Sequence, residues 1–407
     1  MKYNIYGSRD SAVLFLLKNK NIEINKFIDG KISQKSLINF NFADQPRSYD
    51  VLPLKYAQKE LKKFYTIVAT SGNAYWEVKN ILEKMGFVEF ENFEFYGTFK
   101  KKFISVTYGN CNAFGVRDLL LSNNRFAEKY GFYPVEPICE LNNRSTPPLQ
   151  KRLSHVILDK CDLFLYQDIR ENNSYGLEYA TKPIIKKLNQ NCKKICLPNF
   201  VNLPKFLFPQ IYEHVSPCLN NGVPSPFNVR DFYIDKFHCL HSIEQMTRTI
   251  QKKDIIDHQL IKDLLDEFSE KIKCRENSWS IKVRDFIFST YKKEQLFFDP
   301  YHPTKLMLSF IANESLKLLG FLSTGFDSYN YEKTINNFSE IGSPSILLDS
   351  TEIPVYYSVK KTLNLQWSNE ILCRSFSRNY CMDSLLHPRS TLEYVRDYLM
   401  WNYLLIK

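Results

Sequence analysis

The 407-residue sequence has no uninterrupted apolar run long enough to cross a bilayer. Its most apolar late stretch, residues 306 to 322, is interrupted by Asn313, Glu314 and Lys317 and reads as a buried or amphipathic helix. The opening residues, Met1-Lys2-Tyr3-Asn4-Ile5-Tyr6-Gly7, lack the apolar core of a signal peptide. There is no run of Lys and Arg that would serve as a nucleic-acid arm, although the net charge is +10. That charge reads as a scattered basic surface suited to anionic partners such as phosphorylated cofactors, with no nucleic acid expected. Cys192 and Cys196 have a C-x3-C spacing, and Cys239 lies between His238 and His241. Neither group has a second pair at zinc-site spacing, so no metal is expected. Internal repeats and low-complexity segments are absent as well. The expectation is a cytoplasmic protein with free thiols.

What is present is ordinary for a globular chain: 44% hydrophobic and 24% charged residues, enough length for two or three domains and a sizeable core. Aromatics reach 15%, but Ile, Asn and Lys are also plentiful, and base composition accounts for that without function. The expected fold class is α/β. Residues 1 to 97 read as a small domain of alternating strands and helices. Strands are expected over Tyr3 to Tyr6, Glu23 to Asp29 and Tyr65 to Thr70, with helices over Ala12 to Lys18 and Tyr75 to Met85. Gly7 follows the first strand and Asp29 closes the second. The pattern resembles the half-Rossmann domain at the N-terminus of several surface-sugar biosynthesis proteins. In the full dinucleotide fingerprint a second Gly admits a pyrophosphate and an acid holds a ribose hydroxyl. Here Asp29 stands at a suitable distance, while Arg9 replaces the second Gly and disfavours nicotinamide chemistry. A nucleotide or sugar-nucleotide site at Gly7 and Asp29 therefore stands beside a purely structural or docking role. A polar, aromatic-rich connection over residues 91 to 102, with Gly97, marks the expected boundary, and a second domain spans residues 98 to 407.

That second domain is organised around Phe103 to Leu121. A β-rich apolar run breaks at Gly109-Asn110 and resumes with Ala113, Val116, Leu119 and Leu120 at helical spacing. The reading is strand, sharp turn, helix. Cys111 falls where the helix starts, at the positive end of the helix dipole, which favours a thiolate. Downstream, residues 141 to 148 are a loop in which Ser145 or Thr146 caps a helix with Pro147 in its first turn, running to about Asp159. Short strands over Cys161 to Tyr166 and Lys194 to Leu197 end at Gln167 and Asn199. Open parallel sheets carry their sites beyond such carboxyl ends. Further helices are expected over Thr181 to Leu188, residues 242 to 273, 280 to 291 and 305 to 319, and Leu392 to Leu405, within a largely helical C-terminal part whose extension spans 320 to 407.

Asp299-x-x-His302, at the mouth of a late helix, supplies what a thiol nucleophile needs: an imidazole to take its proton and a carboxylate to fix the tautomer. Gln167 and Asn199 are candidate oxyanion or substrate donors beside the backbone of Gly109, Asn110 and Asn112.

Gly109-Asn110-Cys111 after a strand, with Asp299-Pro300-Tyr301-His302-Pro303, resembles the WcbI-type family of capsular-polysaccharide acetyltransferases. More distantly it is similar to the SGNH/GDSL hydrolase superfamily, whose nucleophile follows the first strand and whose late D-x-x-H completes the triad. Ile353 to Trp367 resembles the family's C-terminal segment, and the likeness covers residues 101 to 407. The family commonly has Gln after the Cys where this chain has Asn112. The resemblance implies an SGNH-like α/β fold, acetyl-CoA or coenzyme A binding, and acyl transfer to a sugar or glycan hydroxyl in surface-polysaccharide synthesis. It leaves room for peripheral association with membrane-bound polysaccharide machinery. Catalytic roles then fall to Cys111, His302 and Asp299, with Arg117, Arg144 and Arg170 as candidates for the cofactor's phosphates. Two rival readings stay open: an esterase or deacetylase using water on the same site, and a non-catalytic coenzyme A or sugar-nucleotide binding module.

Overall fold

Six strands make the first sheet of the computed structural model: β1 (Lys2–Tyr6), β2 (Glu23–Asp29), β3 (Ser36–Phe42), β4 (Gln45–Pro53), β5 (Thr66–Val68) and β6 (Phe93–Phe95), in the order β3-β4-β2-β1-β5-β6. The structure describes residues 1–7, 10–19, 21–42, 45–70, 72–138, 153–173, 176–214, 219–220, 223–224, 229–321, 353–367, 371–376, 382–399 and 403. The chain forms two compact units, residues 1–110 with 124–194, and residues 111–123 with 195–407.

In the first unit the strands β4, β2, β1, β5 and β6 run parallel, and β3 closes one edge antiparallel to β4. The order reverses at β1, so its carboxyl end is a topological switch point. Successive strand residues point to opposite faces, and both faces are covered. Ile5, Phe27, Val51 and Ile67 pack with Ala12, Phe15 and Leu16 of helix α1 (Asp10–Lys18) on one side. Their sequence neighbours Tyr6, Ile28, Leu52 and Val68 pack on the other with Ala57 and Leu61 of α2 (Leu54–Lys63) and Tyr75, Trp76 and Leu82 of α3 (Gly72–Lys84).

The six-stranded sheet extends the sequence reading at two places. The hairpin β3–β4 and the short β6 lie in stretches where no strand is expected from periodicity. In β6 only three residues pair. Burial of Phe93 and Phe95 contributes about 1.5–3 kcal/mol each, more than its few ladder hydrogen bonds at roughly 1 kcal/mol apiece. Packing, not propensity, makes this strand.

The same unit holds a further run of parallel strands, with β7 (Phe103–Tyr108) between β8 (Tyr130–Phe132) and β9 (Cys161–Gln167). Val106 and Tyr108 of β7 share one core with Phe93 and Phe95. Residue 97 thus lies inside the first unit. Gly97 is a close-approach position: a Cβ there would sit 2.9 Å from the Phe132 carbonyl oxygen. Beneath the same core a Lys79–Glu89 ion pair is buried, with Tyr75 and Tyr133 donating to the carboxylate.

The second unit is mainly helical. Helix α4 (Cys111–Ser122) packs its buried Ala113, Phe114, Val116, Leu119 and Leu120 against helix Lys305–Leu318, which buries Met307, Leu308, Ile311 and Ala312. Phe200, Phe206, Phe268, Trp279 and Phe297 form a connected aromatic cluster in the same unit. The helix expected over 242 to 273 is two helices, Ile243–Lys252 and His258–Arg275. Ser242 and Gln245 form a capping box for the first, and Asp257 caps the second. Between them the N–H groups of Ile255 and Ile256 donate to Ser358 Oγ, a partner a hundred residues away that no local pattern reveals. The helix expected from Ser280 starts only at Arg284, because Glu276 Oε1 captures the N–H groups of Val283 and Arg284. The terminal helix is described over Thr391–Leu399. The loop and helix start at residues 141 to 152 lie outside the described residues.

Gly7 sits at the switch point with φ +114°, and a Cβ there would lie 2.4 Å from the Ala69 carbonyl oxygen. Its N–H donates to Ile28 O, while Ala69 N–H donates to Tyr6 O. Asp29 Oδ1 accepts from Lys31 N–H at 2.8 Å and so closes the turn after β2. Both residues therefore have structural work in the strand ends. Gly7→Ala is expected to destabilise the protein by about 1–3 kcal/mol, read as a lower urea midpoint with unchanged slope.

Candidate active site

The bend between β7 and α4 is held by its own neighbours. Gly109 O accepts from Ile138 N–H at 2.9 Å, and Asn110 N–H donates to Gln167 Oε1 at 2.8 Å. Gln167 is buried, and its main-chain carbonyl accepts from Thr181 Oγ1. The acceptor end of the Gln167 amide is thereby spent on the turn that leads into Cys111. Cys111 is the first residue of α4 and is partly exposed.

Asp299 and His302 stand in a small closed loop. Phe298 N–H donates to His302 O, Thr304 N–H donates to Leu296 O, and Phe297 bridges Pro303 in antiparallel fashion. Thr304 Oγ1 ties back to Gln295 O at 3.0 Å. Inside the loop the buried Asp299 carboxylate is the hub. Its Oδ1 accepts from the main-chain N–H groups of Tyr301 (2.6 Å) and His302 (2.8 Å), and its Oδ2 accepts from His302 Nδ1 at 2.8 Å. The loop is anchored from outside by Asn202 N–H on Pro300 O and by Ile353 N–H on Phe298 O.

The structure brings Cys111, Asp299 and His302 together within the second unit. With Nδ1 engaged by the carboxylate, Nε2 is the ring nitrogen left for the thiol, and the Cys111 sulfur lies near enough to the ring to favour its charged form. Burial by itself disfavours the imidazolium, but the Asp299 carboxylate and the Cys111 sulfur outweigh it and hold His302 well above its ordinary 6.5. The imidazole is 22% exposed, Asp299 only 8%, so the charge on the acid is shielded while the base can be reached. Burial also pushes the Tyr301 hydroxyl up and the Lys305 ammonium down.

Asn112, buried beside Cys111, has its Oδ1 3.7 Å from the sulfur and donates from Nδ2 to Tyr301 O at 3.0 Å. Asn199 Oδ1 accepts from Val201 N–H and its carbonyl accepts from Arg275 Nη1, so it shapes the turn that leads to Asn202. Arg117 pairs with the adjacent Asp118 at 2.7 Å and lies over the Phe114 ring. Arg170 is exposed in the loop after β9, where its carbonyl caps Asn173. Arg144 lies outside the described residues. Among the described residues no group of three His, Cys, Asp or Glu side chains is placed to hold a metal ion, and Cys192 has Cys161 as its thiol neighbour at 3.7 Å. No helix among them is long and apolar enough to cross a membrane. What sequence reasoning missed is the loop closure by Gln295, Leu296 and Phe298, which follows no helix or strand period, and the reach of Asn112 to Tyr301, which joins segments 189 positions apart.

Fold and site together define an α/β protein in which a thiol at a strand-to-helix turn stands near an imidazole bonded to a carboxylate. The profile of the family described as polysaccharide biosynthesis enzyme WcbI matches residues 104–324, more than half of the chain, and the chain belongs to that family. A solved structure described as native WcbI, a polysaccharide biosynthesis enzyme without a disulfide bond between coenzyme A and one of its cysteines, shares the fold at a TM-score of 0.52. It is 18% identical over 75% of this chain and 97% of that one. No curated protein matches the chain.

The raised His302 value has a stability consequence with a definite sign. The folded protein holds the imidazole proton more tightly than the unfolded chain, so this contribution is fully present below pH 6.5 and fades as pH rises through the native titration. The difference in melting temperature between the wild type and His302→Gln is expected to be largest in acid and to shrink steadily above pH 6.5. A difference that grows with pH would reverse the assignment.

Proposed function

We propose that this chain transfers an acetyl group from acetyl-coenzyme A to a sugar hydroxyl. The observation that supports it is that Asp299 holds His302 by Nδ1 while the Cys111 sulfur lies near the same ring. In the first half-reaction His302 takes the thiol proton and Cys111 sulfur attacks the thioester carbonyl. The tetrahedral oxyanion faces the N–H groups of the first turn of α4, which have no acceptor within the helix. Collapse expels the coenzyme A thiolate, which takes the proton back from His302. One thioester replaces another, so this step is close to thermoneutral. In the second half-reaction His302 removes the proton of the acceptor hydroxyl as its oxygen attacks the acetyl-Cys111 carbonyl. The oxygen ester forms, the Cys111 sulfur leaves and is reprotonated by His302. Asp299 holds the ring by Nδ1, which leaves Nε2 for the sulfur.

The family's place in polysaccharide biosynthesis and the neighbouring protein's association with coenzyme A support donor and acceptor alike. The net charge of +10 is in keeping with an anionic, phosphate-bearing donor.

Intact-protein mass spectrometry after incubation with acetyl-coenzyme A is expected to show one added acetyl group, mapped to the peptide carrying Cys111 and lost in Cys111→Ala. Transfer to a sugar acceptor should fall by about 10⁴-fold or more in that variant, with the melting temperature within a few degrees of wild type. Undiminished transfer by Cys111→Ala would remove the nucleophile. Release of acetate at the same rate with and without any sugar acceptor would make the protein a hydrolase instead.

A further inference from the structure

Asn112 lies immediately after Cys111 in the first turn of α4, yet its side chain reaches a backbone atom 189 positions away. The atom it reaches is the carbonyl oxygen of Tyr301, which belongs to the peptide group joining Tyr301 to His302. A peptide group is planar and rigid, so its oxygen and its N–H move together. The N–H of this same peptide, that of His302, donates to Asp299 Oδ1 at 2.8 Å. The plane is therefore pinned at both ends, by Asn112 on the oxygen side and by Asp299 on the nitrogen side. Pinning it sets the position of the His302 Cα, and with it the origin of the imidazole.

The orientation of the Asn112 amide is dictated by chemistry. A carbonyl oxygen can only accept, so Nδ2 must face Tyr301 and Oδ1 must turn the other way. That places Oδ1 3.7 Å from the Cys111 sulfur. A single buried amide thus spans from the nucleophile to the loop carrying the base. A carboxylate of the same shape would turn an acceptor toward the Tyr301 carbonyl and would break the link.

We infer that Asn112 is a positioning residue: its amide clamps the Tyr301–His302 peptide to the start of α4 and so sets the distance between sulfur and imidazole. This rests on the reading of Cys111 as nucleophile and His302 as its base. Asn112 itself transfers no proton and touches no reacting carbonyl.

The test needs no acetyl donor. The rate of Cys111 alkylation by iodoacetamide is followed from pH 5.5 to 9 in the full chain, resolved to the Cys111 peptide by mass spectrometry. Wild type is expected to react in the acid range through the sulfur–imidazolium pair, and His302→Gln should lose that limb. Asn112→Asp and Asn112→Ala are expected to lose about 10²-fold in rate at pH 6.5 while approaching wild type at pH 9, because a displacement of about 1 Å is enough for such a loss. The double variant Asn112→Asp with His302→Gln should be no slower than His302→Gln alone. Circular dichroism and melting confirm that the variants are folded. A folded Asn112→Asp with the wild-type profile would overturn the inference, as would a loss of equal size at every pH. Failure of both variants to fold would also overturn it, since Asn112 would then hold the fold and not the site. A wild type with the His302-dependent limb but no acetyl-Cys111 would sink the transferase reading and leave the clamp standing.

Discussion

The buried carboxylate of Asp299 is the constraint from which the site follows. Within four residues it accepts two main-chain N–H groups and one imidazole N–H. Hydrogen bonds to a charged acceptor contribute about 1.5–3 kcal/mol each, against roughly 1 kcal/mol for a neutral pair, so the turn is held by its acid more than by its backbone. The two prolines on either side of Tyr301-His302 have no N–H to offer, and the turn loses nothing by their presence. Removing the carboxylate would leave both main-chain donors and the ring without an acceptor inside a buried loop.

Rigid surroundings make such a site usable. Cys111 rides on the first turn of a helix that packs against helix Lys305–Leu318, and that helix begins three residues after His302. The thiol is thus carried on one of two helices packed together, and the imidazole stands just before the other. The turn before Cys111 is braced separately, through Gln167 on Asn110 and Ile138 on Gly109. In the first unit a single core runs from the six-stranded sheet to β7 and β9, with the Lys79–Glu89 pair satisfied by Tyr75 and Tyr133 inside it. A buried ion pair is a poor source of net stability, but unpairing it would strand a charge, so it restricts how the two sheets can meet.

A second buried carboxylate, Asp231, shows how differently the same group behaves in another setting. It caps helix Phe232–Phe237 and accepts from the Tyr356 hydroxyl, and burial lifts it to about 7. Among the described residues no cationic side chain is bonded to it, whereas Asp299 has the His302 ring. One acid is therefore suited to tying together distant segments of the second unit, and the other to partnering a base.

Several parts of this protein were legible in the order of residues. The strand, turn and helix from Phe103 to Ser122 follow from side-chain periodicity, and Asp299-x-x-His302 follows from the reach of one carboxylate over three residues. Periodicity carries that information because backbone geometry fixes it locally, at two residues in a strand and 3.6 in a helix. Other features depended on partners outside the element itself. The strand β6 exists because two Phe side chains are buried, the break before Asp257 because Ser358 supplies an acceptor, and the late start of helix Arg284–Thr290 because Glu276 takes its first donors. Gln167, Asn199 and Arg117 read as free functional groups in one dimension, yet a turn, a loop and a neighbouring Asp118 engage them in three. The sequence alone determined which chemistry the chain carries, namely a thiol, an imidazole and a carboxylate at fitting local spacings. Only the tertiary structure decided that they meet, because closing a gap of nearly two hundred residues depends on helix packing and on hydrogen bonds, Asn112 to Tyr301 among them, that no local pattern records.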